Sequence, residues 1–190
     1  MGAPGFTNHL LIAMPALLDP NFARSVTLIF EHTPDNGALG IVLNKPLPMR
    51  LGDVLSQMQL EPRDEQIGAQ PVLRGGPLRT DHGFVLHRPG GKWDTTIRVS
   101  ELIQVTTSKD VLAAMACGEG PEDAFIALGY AGWDPGQLER EIRENAWLPI
   151  PADERVVFQL PFDHRWQGSW ELLGLDTRKL KQLSFTSGNA

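Results

Sequence analysis

The first half of the chain shows the alternation of polar and apolar residues that is typical of β-strands. Residues 25–32 place every second side chain on one apolar face, which predicts a half-buried strand. Residues 33–37 (Thr-Pro-Asp-Asn-Gly) then carry turn chemistry, because proline presets one dihedral and Asn-Gly tolerates positive φ. The apolar run 39–44 follows. Together these segments predict a β-hairpin.

Further short apolar runs predict strands at 10–14, 72–74, 84–87, 95–99, 102–106, 125–128 and 156–158. These strands do not alternate regularly with long helices, which favours an α+β fold over a doubly wound parallel sheet. Glycines lie within or beside the strands, at Gly40, Gly75, Gly76 and Gly83, and glycine at such positions favours bends. We therefore predict a strongly bent, mostly antiparallel sheet flanked by several helices. The chain shows no repeat or linker, so we predict one domain over 1–190.

Helical spacing or a helix-start signal replaces the strand pattern in four places, and the fourth lies in the stretch 127–148 that is described next. Apolar residues recur at intervals of three and four over 51–58 and again over 166–173. Thr107 and Asp110 have capping-box spacing at the start of a helix that Gly118 ends. The polar residues 61–70 predict a surface loop, and Pro46-Leu47-Pro48 predicts a break in the strand that precedes it.

The stretch 127–148 has the most explicit local signals in the sequence. A buried strand runs into a glycine corner, and a helix then begins with Asp134 as the N-cap, Pro135 at the first position and Gln137 three residues after the cap. Glu139 and Arg143 have the spacing of an exposed ion pair. We interpret this stretch as an anchor of the fold.

Composition and charge exclude several classes of function. The 190 residues are 42% hydrophobic and 21% charged, which is ordinary for a globular protein. A net charge of −6 disfavours generic binding to DNA or RNA phosphates. The chain has one cysteine, its start lacks the basic region of a signal peptide, and the apolar run 10–14 is too short to cross a bilayer. We therefore expect a cytoplasmic protein without a membrane segment.

Several motifs of this chain together resemble the YqgE/AlgH family of bacterial proteins. They are Ala-Met-Pro, Asp-Pro-Asn-Phe and Ser-Val within 13–26, Gly-Ala-Leu-Gly-Ile-Val-Leu-Asn-Lys-Pro at 37–46, Arg-Gly-Gly-Pro at 74–77, Gly-Phe-Val-Leu-His at 83–87, Thr-Thr-Ser-Lys-Asp at 106–110 and the stretch 128–148. The resemblance covers almost the whole chain and implies an α+β fold with a partly barrel-like sheet. The family name implies regulation of transcription in alginate synthesis, without a catalytic residue to transfer.

One region combines glycines, hydroxyls and positive charge. Between Arg74 and Arg98 the chain has five Lys or Arg against two Asp. A glycine loop can present backbone amides to an anion, and arginine can clamp it. The candidate residues for a site that binds a small anionic ligand are Arg74, Gly75, Gly76, Asp81, Thr106, Thr107 and Ser108. Because turn glycines are common, the sequence favours the other interpretation, a strand bend with solvated arginines.

Other residues carry weaker signals. A hydroxyl within 106–110 could serve as a nucleophile, but no histidine lies beside it in sequence and helix capping accounts for Thr107 and Asp110. Cys117 lies near a helix C-terminus beside an acid, which disfavours a thiolate. The histidines show no metal-binding spacing, so we predict no metal, cofactor or catalytic residue. The acidic residues of 119–144 form either a solvated helix face or a docking surface for a basic partner.

The sequence favours a non-enzymatic regulatory or interaction protein, with a protein partner that the sequence does not identify and without a DNA-binding motif. The alternative is a protein or enzyme that binds a small anion in a groove near Arg74–Gly76 and Thr106–Asp110. A third hypothesis is a thiol sensor that acts through Cys117.

Overall fold

A computed structural model describes residues 5–179 of the chain. Contacts within the chain divide it into two compact units, of which the first is Met1–Asn44 with Gly132–Ala190 and the second is Lys45–Ala131. The single domain over 1–190 stays a prediction. In chain order the elements are β1 (His9–Ala13), β2 (Val26–Thr33), β3 (Gly37–Val42), β4 (Pro46–Arg50), α1 (Leu51–Gln57), α2 (Glu65–Gly68), β5 (Pro71–Arg74), β6 (Leu78–His87), β7 (Thr96–Arg98), β8 (Gln104–Thr106), α3 (Lys109–Ala116), β9 (Phe125–Trp133), α4 (Gln137–Arg143), β10 (Trp147–Pro151), a π-helix (Arg155–Gln159), a short 3-10 helix (Phe162–His164) and α5 (Arg165–Leu172).

The first unit contains four neighbouring antiparallel strands in the order β10-β1-β2-β3. The central strand β1 is covered on both faces, since Leu10, Leu11 and Ile12 are all fully buried. The hairpin β2–β3 confirms the predicted reversal, and a bulge between Ile29 and Glu31 bends it. At the edge, β10 carries Pro149 and Pro151, which cannot donate to a further strand.

Helix α5 joins this sheet through buried polar groups. The indole Nε1 of Trp166 donates to the carbonyl of Ala13 at 2.9 Å. Arg165 is buried, and its guanidinium donates to the carbonyls of Leu43 at 2.7 Å and Leu160 at 3.2 Å. Burial lowers the pKa of Arg165 to about 10, so the side chain remains charged at neutral pH. The charge is thus solvated by backbone carbonyls in place of water.

The predicted anchor stretch contains an unexpected hydrogen-bond centre at Glu141. Its carboxylate accepts from the indole N–H of Trp133 at 2.8 Å, the indole N–H of Trp147 at 2.9 Å and the side-chain amide of Gln137 at 3.0 Å. The prediction that α4 starts after an Asp134 cap is wrong, because the N-cap is Gly136 at φ 79°. The Gln137 side chain does accept from the Asp134 amide at 2.9 Å, but as part of a turn before the helix.

The second unit places its strands in the order β4-β5-β9-β6-β8-β7. All pairs are antiparallel except β5–β9, where Val72 lies opposite Ile126. Helices α1 and α3 lay their apolar sides on this sheet, and the residues buried between them and the sheet include Leu51, Val54, Leu55, Val85, Val111, Leu112, Met115 and Ile126. A bulge between Leu78 and Gly83 interrupts the pairing of β6 with β9.

Two local predictions are wrong, and one strand was not predicted. The break before Pro46 is present, since β3 ends at Val42, but residues 46–50 then form the separate strand β4 despite two prolines, because β4 pairs with β5 at an edge where a missing N–H is tolerated. The predicted loop 61–70 contains α2, which Asp64 caps by accepting from the Ile67 amide at 2.9 Å. Residues 156–158 lie in the π-helix, because a short apolar run does not by itself distinguish strand from helix.

The α+β class and the bent, mostly antiparallel sheet are confirmed. No helix within residues 5–179 is both long and apolar enough to span a membrane.

We expect Glu141→Ala to lower the free energy of unfolding by about 2–4 kcal/mol, because two indole N–H groups lose their acceptor. Glu141→Gln, which keeps one carbonyl oxygen, should lose less. Urea denaturation measures both values. Glu144→Ala, at an exposed position just after α4, is the matched control and should change stability by no more than about 0.5 kcal/mol. An equal loss in the Glu141 and Glu144 variants would contradict a role for the carboxylate as the shared acceptor.

Candidate functional site

A cavity of about 750 Å³ lies within the second unit, against the face of the sheet on which α1 and α3 pack. Its floor is set by strand register: Gly83 lies opposite Leu128 and Val85 opposite Ile126, so their side chains share this face. The remaining residues that line it are Leu47, Met49, Val54, Gln57, Met58, Thr80, Asp81, His82, Thr106, Thr107, Ser108, Lys109 and Leu112. The floor is aliphatic, and the walls carry both aliphatic and polar side chains.

Most polar residues of the cavity come from two segments that lie beside each other. In the antiparallel pair β6–β8, Val85 lies opposite Thr106, so the residues before Gly83 run beside those after Thr107. The β6 bulge supplies Thr80, Asp81 and His82, and the start of α3 supplies Thr107, Ser108 and Lys109. Bulges often redirect side chains towards a site, and this one turns its residues away from regular pairing.

The bulge is held by an arginine in an uncommon backbone conformation. Arg79 has φ 43°, which is unusual for a residue other than glycine. Its guanidinium lies 2.7 Å from Nε2 of His82, and because arginine can only donate, this nitrogen is the acceptor and Nδ1 carries the proton. The Asp81 carboxylate is 4.0 Å from the same nitrogen, beyond hydrogen-bond distance, and its side chain is 82% exposed.

The start of α3 differs from the predicted cap. The N-cap is Ser108 and not Thr107. The hydroxyl of Ser108 donates to Asp110 at 2.5 Å and accepts from the Thr95 amide at 3.0 Å, while Asp110 also accepts from the Asp94 amide at 2.8 Å. The hydrogen bond from Ser108 is the main reason that the pKa of Asp110 is lowered. Ser108 and Asp110 therefore fasten the incoming loop to the helix.

The structure brings a histidine to Thr106 that the sequence did not place there. His87 is fully buried, and burial lowers its pKa, so the imidazole is neutral. Nδ1 donates to the Arg88 carbonyl at 2.7 Å, which leaves Nε2 to accept from the Thr106 hydroxyl at 2.7 Å. Thr106 in turn accepts from the Thr96 hydroxyl at 2.9 Å. No spacing rule reveals this pair, because it is formed by the register of three strands.

The residues predicted to bind a ligand divide into two groups. Asp81, Thr106, Thr107 and Ser108 all line the cavity. Arg74, Gly75 and Gly76 are not among its lining residues within the described part of the chain. Their role in ligand binding stays a prediction.

Close packing against β9 explains the glycine pair after β5. A Cβ at Gly75 would lie 2.3 Å from the carbonyl oxygen of Gly129, and one at Gly76 would lie 2.1 Å from the Tyr130 carbonyl carbon. The Gly75 amide donates to the Leu128 carbonyl at 2.8 Å. These glycines let the two backbones approach, which is a structural reason for the Arg-Gly-Gly motif.

The other candidates lie elsewhere. Cys117 is exposed at the C-cap of α3, and its carbonyl accepts from Arg63 at 3.1 Å. Among residues 5–179, no group of three or more His, Cys, Asp or Glu side chains is placed to hold a metal ion. Glu139, predicted to pair with Arg143, has its carboxylate 2.9 Å from Nε2 of His32.

Comparison with known proteins identifies the family. The AlgH-like family model matches residues 10–178. The chain belongs to the AlgH-like family. This confirms the resemblance that the sequence motifs indicated.

Relatives of similar length support the assignment. A UPF0301 protein of Thioalkalivibrio sulfidiphilus is 54% identical over 97% of this chain and 95% of its own, and one of Nitrosococcus oceani is 50% identical over 92% and 93%. The solution structure of AlgH from Pseudomonas aeruginosa matches this structure with a TM-score of 0.78 at 41% identity. The match covers 100% of this chain and 97% of the AlgH chain. Protein DIP2367 of Corynebacterium diphtheriae shares the fold, with a TM-score of 0.69 at 21% identity over 90% and 88%.

The buried His87 predicts a pH dependence of stability. Its pKa is lowered in the folded state, so the unfolded chain binds a proton first as pH falls below about 6.5. The contribution of neutral His87 to stability is therefore present above that pH and is lost below it. Urea denaturation between pH 7.5 and 5 should show a steeper loss for wild type than for His87→Gln, by at most about 1.4 kcal/mol per pH unit.

The control for this experiment is His164→Gln, since the His164 side chain is 66% exposed. It should keep the wild-type slope. Equal slopes for wild type and His87→Gln would show that His87 does not resist protonation in the folded protein.

Proposed function

We propose that this AlgH-like chain is a non-enzymatic regulatory protein of the cytoplasm that binds a small amphipathic molecule in the cavity of its second unit. One observation carries the proposal. The cavity of about 750 Å³ is lined by aliphatic side chains and by polar residues, most of which come from the β6 bulge and the start of α3. Small-molecule sites in proteins are typically of roughly 300–1,000 Å³, mainly apolar, with a small number of polar groups that orient the ligand.

The shape of the cavity follows from incomplete cover of the sheet. Val85 and Ile126 are buried beneath the helices, whereas Gly83 and Leu128 on the same face are only half-buried. Met49 and Met58 contribute flexible side chains, which adapt to ligands of irregular shape. An apolar surface of this kind gains free energy when a ligand replaces water.

Binding without chemistry agrees with the state of the polar groups nearby. Thr106 and His87 have the types of a nucleophile and a base, but both side chains are fully buried. Each imidazole nitrogen is engaged by the protein, and the Thr106 oxygen donates to one partner and accepts from another. A nucleophile must reach its substrate, so we assign this pair a structural role.

The regulatory part of the proposal is supported by the acidic net charge of −6, which disfavours direct contact with DNA, and by the family to which the chain belongs. A protein that senses a small molecule transmits the signal through a partner. We propose a protein partner in this role.

A glycine on the cavity floor gives a sharp test. A Cβ at Gly83 would meet only Ile126 at 3.5 Å and Leu128 at 3.9 Å, which are ordinary contacts with two lining residues. Gly83→Phe should therefore place a ring in the cavity, whereas Gly83→Ala should leave it open. We expect decanol, decanoate or decylamine to raise the Tm of wild type and Gly83→Ala, and not that of Gly83→Phe.

At about 100 times its Kd, a ligand stabilises the folded state by about 2.7 kcal/mol. For a chain of this size the Tm should rise by roughly 5 to 10 °C, measured by differential scanning fluorimetry. If none of the three probes raises the Tm of wild type, or if Gly83→Phe responds as wild type does, the cavity is not the binding site and the proposal fails.

A further inference from the structure

We infer that the polar end of the cavity selects an anionic head, so that the ligand is an aliphatic acid whose carboxylate lies beside Lys109. The inference rests on the proposed function, since it names the class of ligand that the cavity takes. It depends on which polar groups at this end are already engaged by the protein and which are not.

Three of the groups that line this end of the cavity can donate a hydrogen bond to a ligand. Within residues 5–179 the ammonium group of Lys109 has no hydrogen bond or ion pair, and neither does the exposed hydroxyl of Thr107. Nδ1 of His82 carries a proton, because Nε2 accepts from Arg79. The Arg79 guanidinium adds a positive charge behind this imidazole. Three residues that line the cavity can thus donate a hydrogen bond to an anion.

The two carboxylates nearby compete weakly for this position. Both oxygens of Asp110 are engaged, by the Ser108 hydroxyl and by the amides of Asp94 and Val111. The Asp81 side chain is 82% exposed and Lys109 is also exposed, so water screens both charges and the effect of each on a bound head is modest. A carboxylate head would therefore meet Lys109 and Thr107 with little repulsion.

The walls indicate the rest of the ligand. Leucine, valine, isoleucine and methionine side chains line the cavity, and in the part of the chain that the structure describes no Phe, Tyr or Trp does so. Aromatic ligands commonly stack on aromatic side chains. Aliphatic walls with two methionines favour a flexible alkyl chain, which buries apolar area without a fixed ring geometry.

The experiment compares heads on one alkyl chain. Isothermal titration with decanoate, decanol and decylamine should give the tightest binding for decanoate and the weakest for decylamine. Lys109→Gln should weaken decanoate binding about three- to tenfold and leave decanol binding unchanged. Asp81→Asn should not narrow the difference in affinity between decanoate and decylamine. Lys92→Gln, an exposed lysine of the same unit outside the cavity, is the matched control and should keep the wild-type affinity for decanoate.

The outcomes separate this inference from the proposed function. Equal binding of decanoate and decanol, tighter binding of decylamine, or an unchanged affinity in Lys109→Gln would overturn the anionic head. If at least one probe binds wild type and Gly83→Phe abolishes that binding, the proposed function stands even though the inference of an anionic head fails. If no probe binds wild type, the proposed function and the inference both fail.

Discussion

The register of β6 is the constraint on which the candidate site depends. This strand pairs with β9 on one side and β8 on the other, with Val85 opposite both Ile126 and Thr106. That alignment fixes which side chains face α1 and α3, because a slip of one residue would turn every side chain to the opposite face. It also brings the β6 bulge beside the start of α3. The aliphatic floor and the polar end of the cavity therefore share one structural origin.

Buried polar groups secure the two units by different means. In the first, Glu141 receives two indole N–H groups, and the buried Arg165 donates to the carbonyls of Leu43 and Leu160. In the second, His87 is held neutral between the Arg88 carbonyl and the Thr106 hydroxyl. Each arrangement satisfies groups that would cost free energy if they were left buried without partners. Polar residue types that suggest chemistry in a sequence can thus serve the fold.

The glycine and capping motifs show how far local signals carry. Gly75 and Gly76 were predicted to line an anion site, and in the structure they permit close approach to Gly129 and Tyr130. The capping interpretation located the start of α3 within one residue, at Ser108 in place of Thr107. At α4 the same logic placed the start two residues too early, because Asp134 and Gln137 form a preceding turn. Cap residues also stabilise turns, so their presence does not fix the first helical residue.

The sequence by itself determined the α+β class, the hairpin β2–β3, most strands of the sheet and the family. These depend on periodicity and turn chemistry, which are properties of neighbouring residues. Of the candidate site it supplied Asp81 and Thr106–Ser108 as residues of interest. Tertiary structure alone decided that His87 meets Thr106, and that Gly83 and Leu128 leave an open floor. Such contacts join strands that are distant in sequence, and the register that forms them is selected by packing of the whole sheet.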